Sequence, residues 1–413
     1  MNAYFSELGG MVYERWRKVD FAPEAFPDIA TAALDERPPA DRINLPELVR
    51  EFLLEDAQPA QSTSGFGQPE LIVYDIPRFY IQVLFWMDGT TDIHQHGFSG
   101  AFHVLEGSSL HSLFEFEDSQ SITSHFRIGN LSLKATHLLE AGDTRPIVSG
   151  PHCIHSLFHL DTPSVSVVIR THSDPACGPQ FTYLPPHLAV DPLQNDGLTL
   201  RRKQLLDLLE QTGDPEYPDI VIAMIRELDF ERGFFILQNC IGHLQNLGLW
   251  DEAWETFARK HGPLAEALPP TFEEIIRRDR IAGMRGMIGD PDHRFFLALM
   301  LNVENRKPFL EMVGQRYGGA PVDKILQWAE ELMHITEGGT WLIDAEFPDE
   351  LGIDQNDQPS IFMDALRYFL NHTNLPANIS SSDLEVLRNT FACSSWNALI
   401  ASDSPSSSAS GIA

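Results

Sequence analysis

The chain has 413 residues and carries 59 acidic side chains against 29 Lys and Arg, a formal net charge of −30. Nucleic-acid binders need a basic surface that displaces counterions from phosphates, so this charge balance argues against DNA and RNA as partners. An anionic membrane surface would repel the chain, and no stretch approaches the ~20 apolar residues of a membrane-spanning helix. We therefore expect a soluble protein whose partner is a small molecule.

The N-terminal segment and the cysteines indicate the compartment. The first residues, MNAYFSELGGMVYERWRKVD, contain scattered charges and lack the apolar core of a signal peptide, so a cytoplasmic location is expected. The four cysteines are Cys153, Cys177, Cys240 and Cys393, with no CxxC pair among them. This usage predicts free and mostly buried thiols rather than a disulfide framework or a thiolate zinc site.

Three regions of the chain differ in hydrophobic pattern. Residues 1–67 mix short amphipathic stretches with prolines, which predicts a helical lead-in. Residues 68–190 contain short runs rich in Val, Ile, Phe and Thr that are separated by Gly, Asp, Asn and Pro. Runs of this kind at close and regular intervals predict an antiparallel β-barrel or double-sheet roll.

The remainder of the chain has a helical period. Residues 195–400 carry apolar side chains at i, i+3 and i+4 with Gly or Pro stops, and they predict a separate all-α domain. The proline-rich segment Leu184 to Gly197 is the predicted linker, and the Ser-rich residues 401–413 are a predicted disordered tail. The expected fold class is therefore α+β, a β-barrel with a helical lead-in and an all-α C-terminal domain.

A pair of histidines marks the first candidate site. His94 and His96 lie two residues apart on a β-type segment between Gly89 and Gly107, so both imidazoles project from one face and can reach one metal ion.

A second histidine segment supplies a third candidate ligand. His155 follows Gly150 on a short predicted strand, where alternation places it on one face with His159. His152 also follows Gly150 closely and is the alternative third ligand if the loop bends inward.

The order of these elements resembles the two-motif signature of the cupin superfamily, whose small β-barrels hold one metal ion in the mouth. The resemblance covers residues 70–185. Cupins usually place a glutamate ligand a few residues after HxH, whereas His96 is followed here by GFSGA, which offers no carboxylate. The resemblance thus implies a cupin-like barrel with a three-histidine site.

Within the superfamily the sequence looks like the cysteine-dioxygenase (thiol dioxygenase) branch, through FYIQVLFWMDGTTDIHQH, IHSLF and VVIRTHSDP. Three neutral imidazoles leave Fe(II) with a net positive charge and open positions for a thiolate and dioxygen. The resemblance therefore implies Fe(II), with another divalent metal as the alternative. The chain departs from animal members at the cross-linking cysteine and tyrosine, which fall on Gly100-Ala101 and His172.

Two residues of a late predicted strand are candidate catalytic groups. Arg170 and His172 alternate onto one face, which we take to point inward. A guanidinium in a barrel mouth would bind a carboxylate or phosphate, and His172 would act as acid, base or hydrogen-bond donor. Arg78 is the second candidate cation. Four further histidines are predicted to lie on strands and loops without a role: His103, His111, His125 and His137.

These observations lead to one function and two alternatives. The leading hypothesis is an iron-dependent, thiol-dioxygenase-like oxygenase that acts on a small anionic molecule. The first alternative is a non-catalytic cupin that senses a metal or ligand, or that serves as an interaction module with its helical partner domain. The second alternative is a metal-dependent isomerase or lyase that uses the same ligands.

Overall fold

The computed structural model describes residues 3–63, 66–87, 89, 92–174, 177–192, 196–335, 347–348, 351–354, 357–371 and 380–400. The predicted tail, residues 401–413, lies outside them. The helices are α1 (Ala3–Arg17), α2 (Phe26–Glu36), α3 (Leu45–Leu54), α4 (Gly197–Thr212), α5 (Tyr217–Glu227), α6 (Phe230–Asn246), α7 (Trp250–His261), α8 (Leu268–Met287), α9 (Pro291–Asn302), α10 (Arg306–Tyr317), α11 (Pro321–Ile335), α12 (Gln358–Asn371), α13 (Ser381–Ala392) and α14 (Asn397–Ile400).

The strands all lie between α3 and α4. They are β1 (Glu70–Ile76), β2 (Phe79–Trp86), β3 (Ile93–Gln95), β4 (Gly100–Glu106), β5 (Ser108–Ser121), β6 (Phe126–Glu140), β7 (Thr144–Ile147), β8 (Ile154–His159), β9 (Ser164–Thr171), β10 (Thr182–Leu184) and β11 (Leu188–Val190). β1, β2, β9, β4 and β7 form the first sheet in that order. β10, β11, β6, β5, β8 and β3 form the second sheet, which closes into a barrel. The ladders are antiparallel throughout.

The first sheet is covered on one face by the N-terminal helices. Phe79, Ile81 and Val83 alternate along β2 and pack in one cluster with Phe5 of α1 and Phe26 of α2. Alternation turns the intervening residues of β2 to the opposite face, toward the second sheet. Side chains from both sheets meet there and form the inter-sheet cluster: Leu84, Trp86, Phe98, Phe102, Val104, Leu139, Ile147, Leu157 and Val168.

The C-terminal helices cover the outer face of the second sheet. Leu110 of β5 and Phe158 of β8 share a cluster with Phe296 of α9. Thr136 of β6 also donates a hydrogen bond to the Asn302 carbonyl at the end of α9, at 3.2 Å. β8 and the first five residues of β5 are therefore buried on both faces, which fixes the register of these strands at the candidate site.

The predicted α+β fold class is confirmed: a closed antiparallel β-barrel lies between a helical lead-in and an all-α C-terminal region. In the described part of the chain, no helix combines the length and the apolar composition needed to cross a bilayer. The four cysteines are free, as predicted. The expectation that they are mostly buried is wrong, because only Cys240 is buried and Cys393 is exposed. Cys153 and Cys177 are half-buried because they lie outside the strands.

Gly100 is required where β4 meets β9. A Cβ at this position would stand 2.0 Å from the Ile169 carbonyl oxygen and 2.9 Å from the Arg170 Cα, closer than any real Cβ approaches. We expect Gly100→Ala to lower the free energy of unfolding by roughly 1–3 kcal/mol, the usual cost of overpacking. Thermal unfolding followed by circular dichroism measures this. The matched control is Gly97→Ala, whose Cβ would meet only Gln180 Oε1 at 3.9 Å; equal melting temperatures would contradict the prediction.

Candidate metal centre

Two paired strands place the candidate ligands. β3 and β8 are antiparallel neighbours in which His94 pairs with His155. Ile93 and Ile154 pack together on the opposite face of these strands, so the two histidines face the inter-sheet cluster. His96 follows β3 directly, and its carbonyl accepts a 2.8 Å hydrogen bond from the Gly150 N–H. The two histidine segments of the sequence are thus joined backbone to backbone.

The structure brings His94, His96 and His155 into one group. One ligand atom from each lies within 4.8 Å of the other two, an arrangement that could hold a metal ion. All three side chains are buried, and His96 Nε2 lies 2.7 Å from His155 Nε2. The alternative ligand, His152, is exposed in a short 3-10 helix and stays outside the group.

Hydrogen bonds at the far side of two rings determine which nitrogens face inward. His94 Nδ1 lies 2.6 Å from the Asp92 carbonyl oxygen, so Nδ1–H donates and Nε2 keeps its lone pair. His155 Nδ1 lies 2.8 Å from His111 Nε2. His96 Nδ1 is buried and has no hydrogen-bond partner in the described part of the chain. The Nε2 atoms therefore form the inward side of the group.

Burial keeps these imidazoles neutral. It is the main cause that lowers the pKa of His94 below the usual value, and it lowers the pKa of His96 and His155 much further. The neighbouring histidines add to the depression at His96 and His155. Three neutral nitrogen donors without a carboxylate fit a divalent transition metal better than Mg²⁺ or Ca²⁺, which prefer oxygen. The three histidines thus fit the divalent metal ion that the cupin resemblance implies.

Arg170 lies on the inward face of β9, as predicted. It is on the same face as Val168 of the inter-sheet cluster, and its guanidinium lies 3.2 Å from the centroid of the Phe98 ring. The Phe98 ring in turn contacts His96, with centroids 4.3 Å apart. Burial lowers the pKa of Arg170 to about 10, so the group stays charged at neutral pH. Within the described residues, no carboxylate forms an ion pair with it.

The structure places His172 apart from the histidine group. β9 ends at Thr171, and the exposed His172 ring bonds the Ile76 carbonyl oxygen through Nε2 at 2.8 Å. Asp75 lies 3.4 Å from the same nitrogen, and Tyr80 packs on the ring. The predicted catalytic role of His172 stays a prediction without support from these contacts. Arg78, the second candidate cation, is exposed and stacks on Phe21 of the N-terminal region.

His111 is the residue that the sequence analysis missed. It is only 3% exposed, it contacts His155, and burial lowers its pKa to about 3. The sequence contains part of the information, because alternation on β5 assigns His111 to one face of the strand, together with Ser109. What the sequence does not contain is the pairing of β5 with β8. The other three histidines that were assigned no role are placed elsewhere: His103 bonds Thr144, His125 pairs with Asp191, and His137 is exposed.

Similarity between this chain and known proteins is confined to solved structures. No family model matches the chain, and no curated protein matches it. Solved structures similar to part of it include KdgF from Halomonas sp., at 16% identity over 29% of this chain and 91% of that one, with a TM-score of 0.20. A cupin-2 domain protein from Shewanella frigidimarina has 17% identity over 32% and 94%, with a TM-score of 0.19. Hydroquinone 1,2-dioxygenase from Sphingomonas sp. has 10% identity over 25% and 64%, with a TM-score of 0.20. Likenesses this low carry no argument about activity.

Proposed function

We propose that this protein is an iron-dependent oxygenase that acts on a small anionic molecule, with a thiol as the first substrate class to test. One observation carries the proposal: an inward arginine with no carboxylate partner among the described residues packs on Phe98, a ring that also contacts one of the three buried histidines. A metal centre alone would not need that cation. An arginine held in this environment is suited to binding a carboxylate, sulfinate or phosphate group.

Phe98 links the two halves of the proposed site. It contacts His96 on one side and carries the Arg170 guanidinium at 3.2 Å. A cation over an aromatic face is stabilised by the ring quadrupole, so Arg170 is held in place without a carboxylate that would neutralise it. Within the described residues, the Arg170 guanidinium donates hydrogen bonds to the Thr171 and His172 carbonyl oxygens, and both are long at 3.4 Å. The guanidinium therefore keeps donors available for an anion.

The chain's own residues would bind the substrate and exclude water from it. His94, His96 and His155 would hold the metal, which when bound supplies a site for a thiolate and for oxygen. Arg170 would fix the anionic end of the substrate through paired N–H donors. Phe98 belongs to the inter-sheet cluster, so apolar side chains would exclude water beside Arg170 and strengthen its attraction for an anion.

Oxygen uptake tests the proposal. We expect the iron-loaded protein to consume oxygen only when a small ligand with an anionic group is also present. An oxygen electrode records this with matched thiol pairs, such as 3-mercaptopropionate and its amide. Uptake with the carboxylate and little with the amide is the expected result. If the protein binds a carboxylate or thiol tightly but consumes no oxygen, the oxygenase proposal is wrong and the ligand-sensing alternative is favoured.

A further inference from the structure

We propose that His111 is a positioning residue for the metal centre: it holds His155 in the single tautomer in which Nε2 can bind a metal. This inference rests on the proposed metal centre and adds a fourth histidine to it, one that does not itself coordinate. His111 lies outside the group whose ligand atoms converge, so its effect must pass through His155.

The two rings are joined by a short contact between buried side chains. His111 Nε2 lies 2.8 Å from His155 Nδ1, and the ring planes are 85° apart. The side chains are 3% and 4% exposed, so solvent cannot substitute for either partner. In the β5–β8 ladder His111 pairs with Leu157 and Leu113 pairs with His155. The contact is therefore set by strand register rather than by a flexible loop.

A neutral imidazole carries one proton, so the contact has two possible directions. If His111 carries its proton on Nε2, it donates to His155 Nδ1, and the His155 proton must then lie on Nε2. That proton would point at His96 Nε2, 2.7 Å away, and would block the lone pairs of both nitrogens. If His111 carries its proton on Nδ1, His155 Nδ1–H donates to it, and His155 Nε2 is free to bind a metal.

The second arrangement explains why an acceptor is needed at position 111. Metal-bound histidines generally donate their other N–H to a carboxylate, a carbonyl or water, which fixes ring orientation and tautomer. His94 uses the Asp92 carbonyl in this way. Among the residues that the structure describes, no carboxylate or carbonyl bonds His155 Nδ1, and His111 takes that place. His111 Nδ1 is buried without a partner, so nothing in the described structure competes for the other end of its ring.

Metal affinity in three variants at position 111 tests the inference. In His111→Gln the amide Oε1 stands near the position of Nε2 and can accept from His155, whereas in His111→Asn the amide is too short. His111→Leu removes the acceptor. We expect the Co(II) dissociation constant to rise about 10–100-fold in the Leu and Asn variants and to stay near wild type in the Gln variant. Competition with a chromophoric chelator measures the constant, and the Co(II) absorption bands report the coordination.

The controls separate positioning from packing. His159→Leu removes another buried imidazole from β8, one that bonds Ser109 and Ser164 and does not contact the ligands, so it should keep wild-type Co(II) affinity. If His111→Leu fails to fold, the Gln and Asn variants still decide the question. Equal affinities and spectra in the Gln and Asn variants overturn the inference, as does the absence of Co(II) binding by the wild type. Oxygen uptake is measured separately. If the wild type consumes no oxygen but the variants show the expected Co(II) affinities, the positioning role of His111 stands and the proposed oxygenase activity is wrong.

Discussion

Alanine at His94, His96 or His155 should each lower the affinity for a divalent metal by more than about 100-fold. Each change removes one of three converging donors, and the loss of an outer-shell partner alone commonly costs 10–100-fold. The fold should survive, because the barrel is held by apolar clusters on both faces of its sheets. Metal content after dialysis and competitive titration measure the loss, and circular dichroism checks the fold.

His152→Ala is the matched control for His155→Ala. The two histidines lie three residues apart, but His152 is exposed in its 3-10 turn and does not belong to the group. The control should keep its metal. Loss by His152→Ala with retention by His155→Ala would show that the 149–153 loop bends inward when the metal binds. If all four variants retain their metal, the assignment of the metal centre to these histidines is wrong.

The grouping of the first two candidate ligands could be predicted because it is local. His94 and His96 lie two residues apart, and the period of a strand places them on one side without any knowledge of the rest of the fold. His155 required a longer inference, from a turn at Gly150 to a strand with a defined inward face. The sequence does not reveal that the two strands pair. In the structure β3 and β8 are neighbours, and residues 94 and 155 lie opposite each other.

His111 and His172 show where local pattern stops being sufficient. Alternation assigns a face to each, but it says nothing about which strand lies across from that face. For His111 the partner comes from β8, 44 residues further along the chain. For His172 alternation applies only up to Thr171, the last residue of β9, so the ring lies at the exposed end. A strand pattern thus predicts which face of the strand a side chain lies on, but not how deeply that side chain is buried.

The packing of the helical region against the barrel could not be predicted from the sequence either. Amphipathic periods predict which face of each helix is buried, but not what covers it. The structure shows that Phe296 of α9 packs against Leu110 and Phe158, on the outer face of the strands that carry His111 and His155. Contacts between the helices and the barrel therefore lie on the opposite face of the two strands that carry His111 and His155.

Arg170→Gln should raise the KM for an anionic substrate by about 30-fold and lower kcat much less. The variant loses a charge-assisted interaction, which contributes about 2 kcal/mol and converts to that factor. The effect falls on KM because the anion is held in the same way before and during the reaction. Gln is shorter and uncharged but remains polar, so the site beside Phe98 is not left to an apolar group. Steady-state oxygen uptake, or ligand titration where turnover is absent, measures the change.

Two further variants make the Arg170 result specific. Arg170→Lys keeps the charge but not the planar pair of donors, so its KM should fall between wild type and Arg170→Gln. Arg78→Gln removes the same charge from an exposed arginine that stacks on Phe21, and it should leave KM unchanged. Equal shifts in the Arg78 and Arg170 variants would mean that the protein attracts anions through its overall field rather than at a built site. That outcome is disfavoured by a net charge of −30, since such a field repels anions and leaves local recognition to the half-buried Arg170 guanidinium.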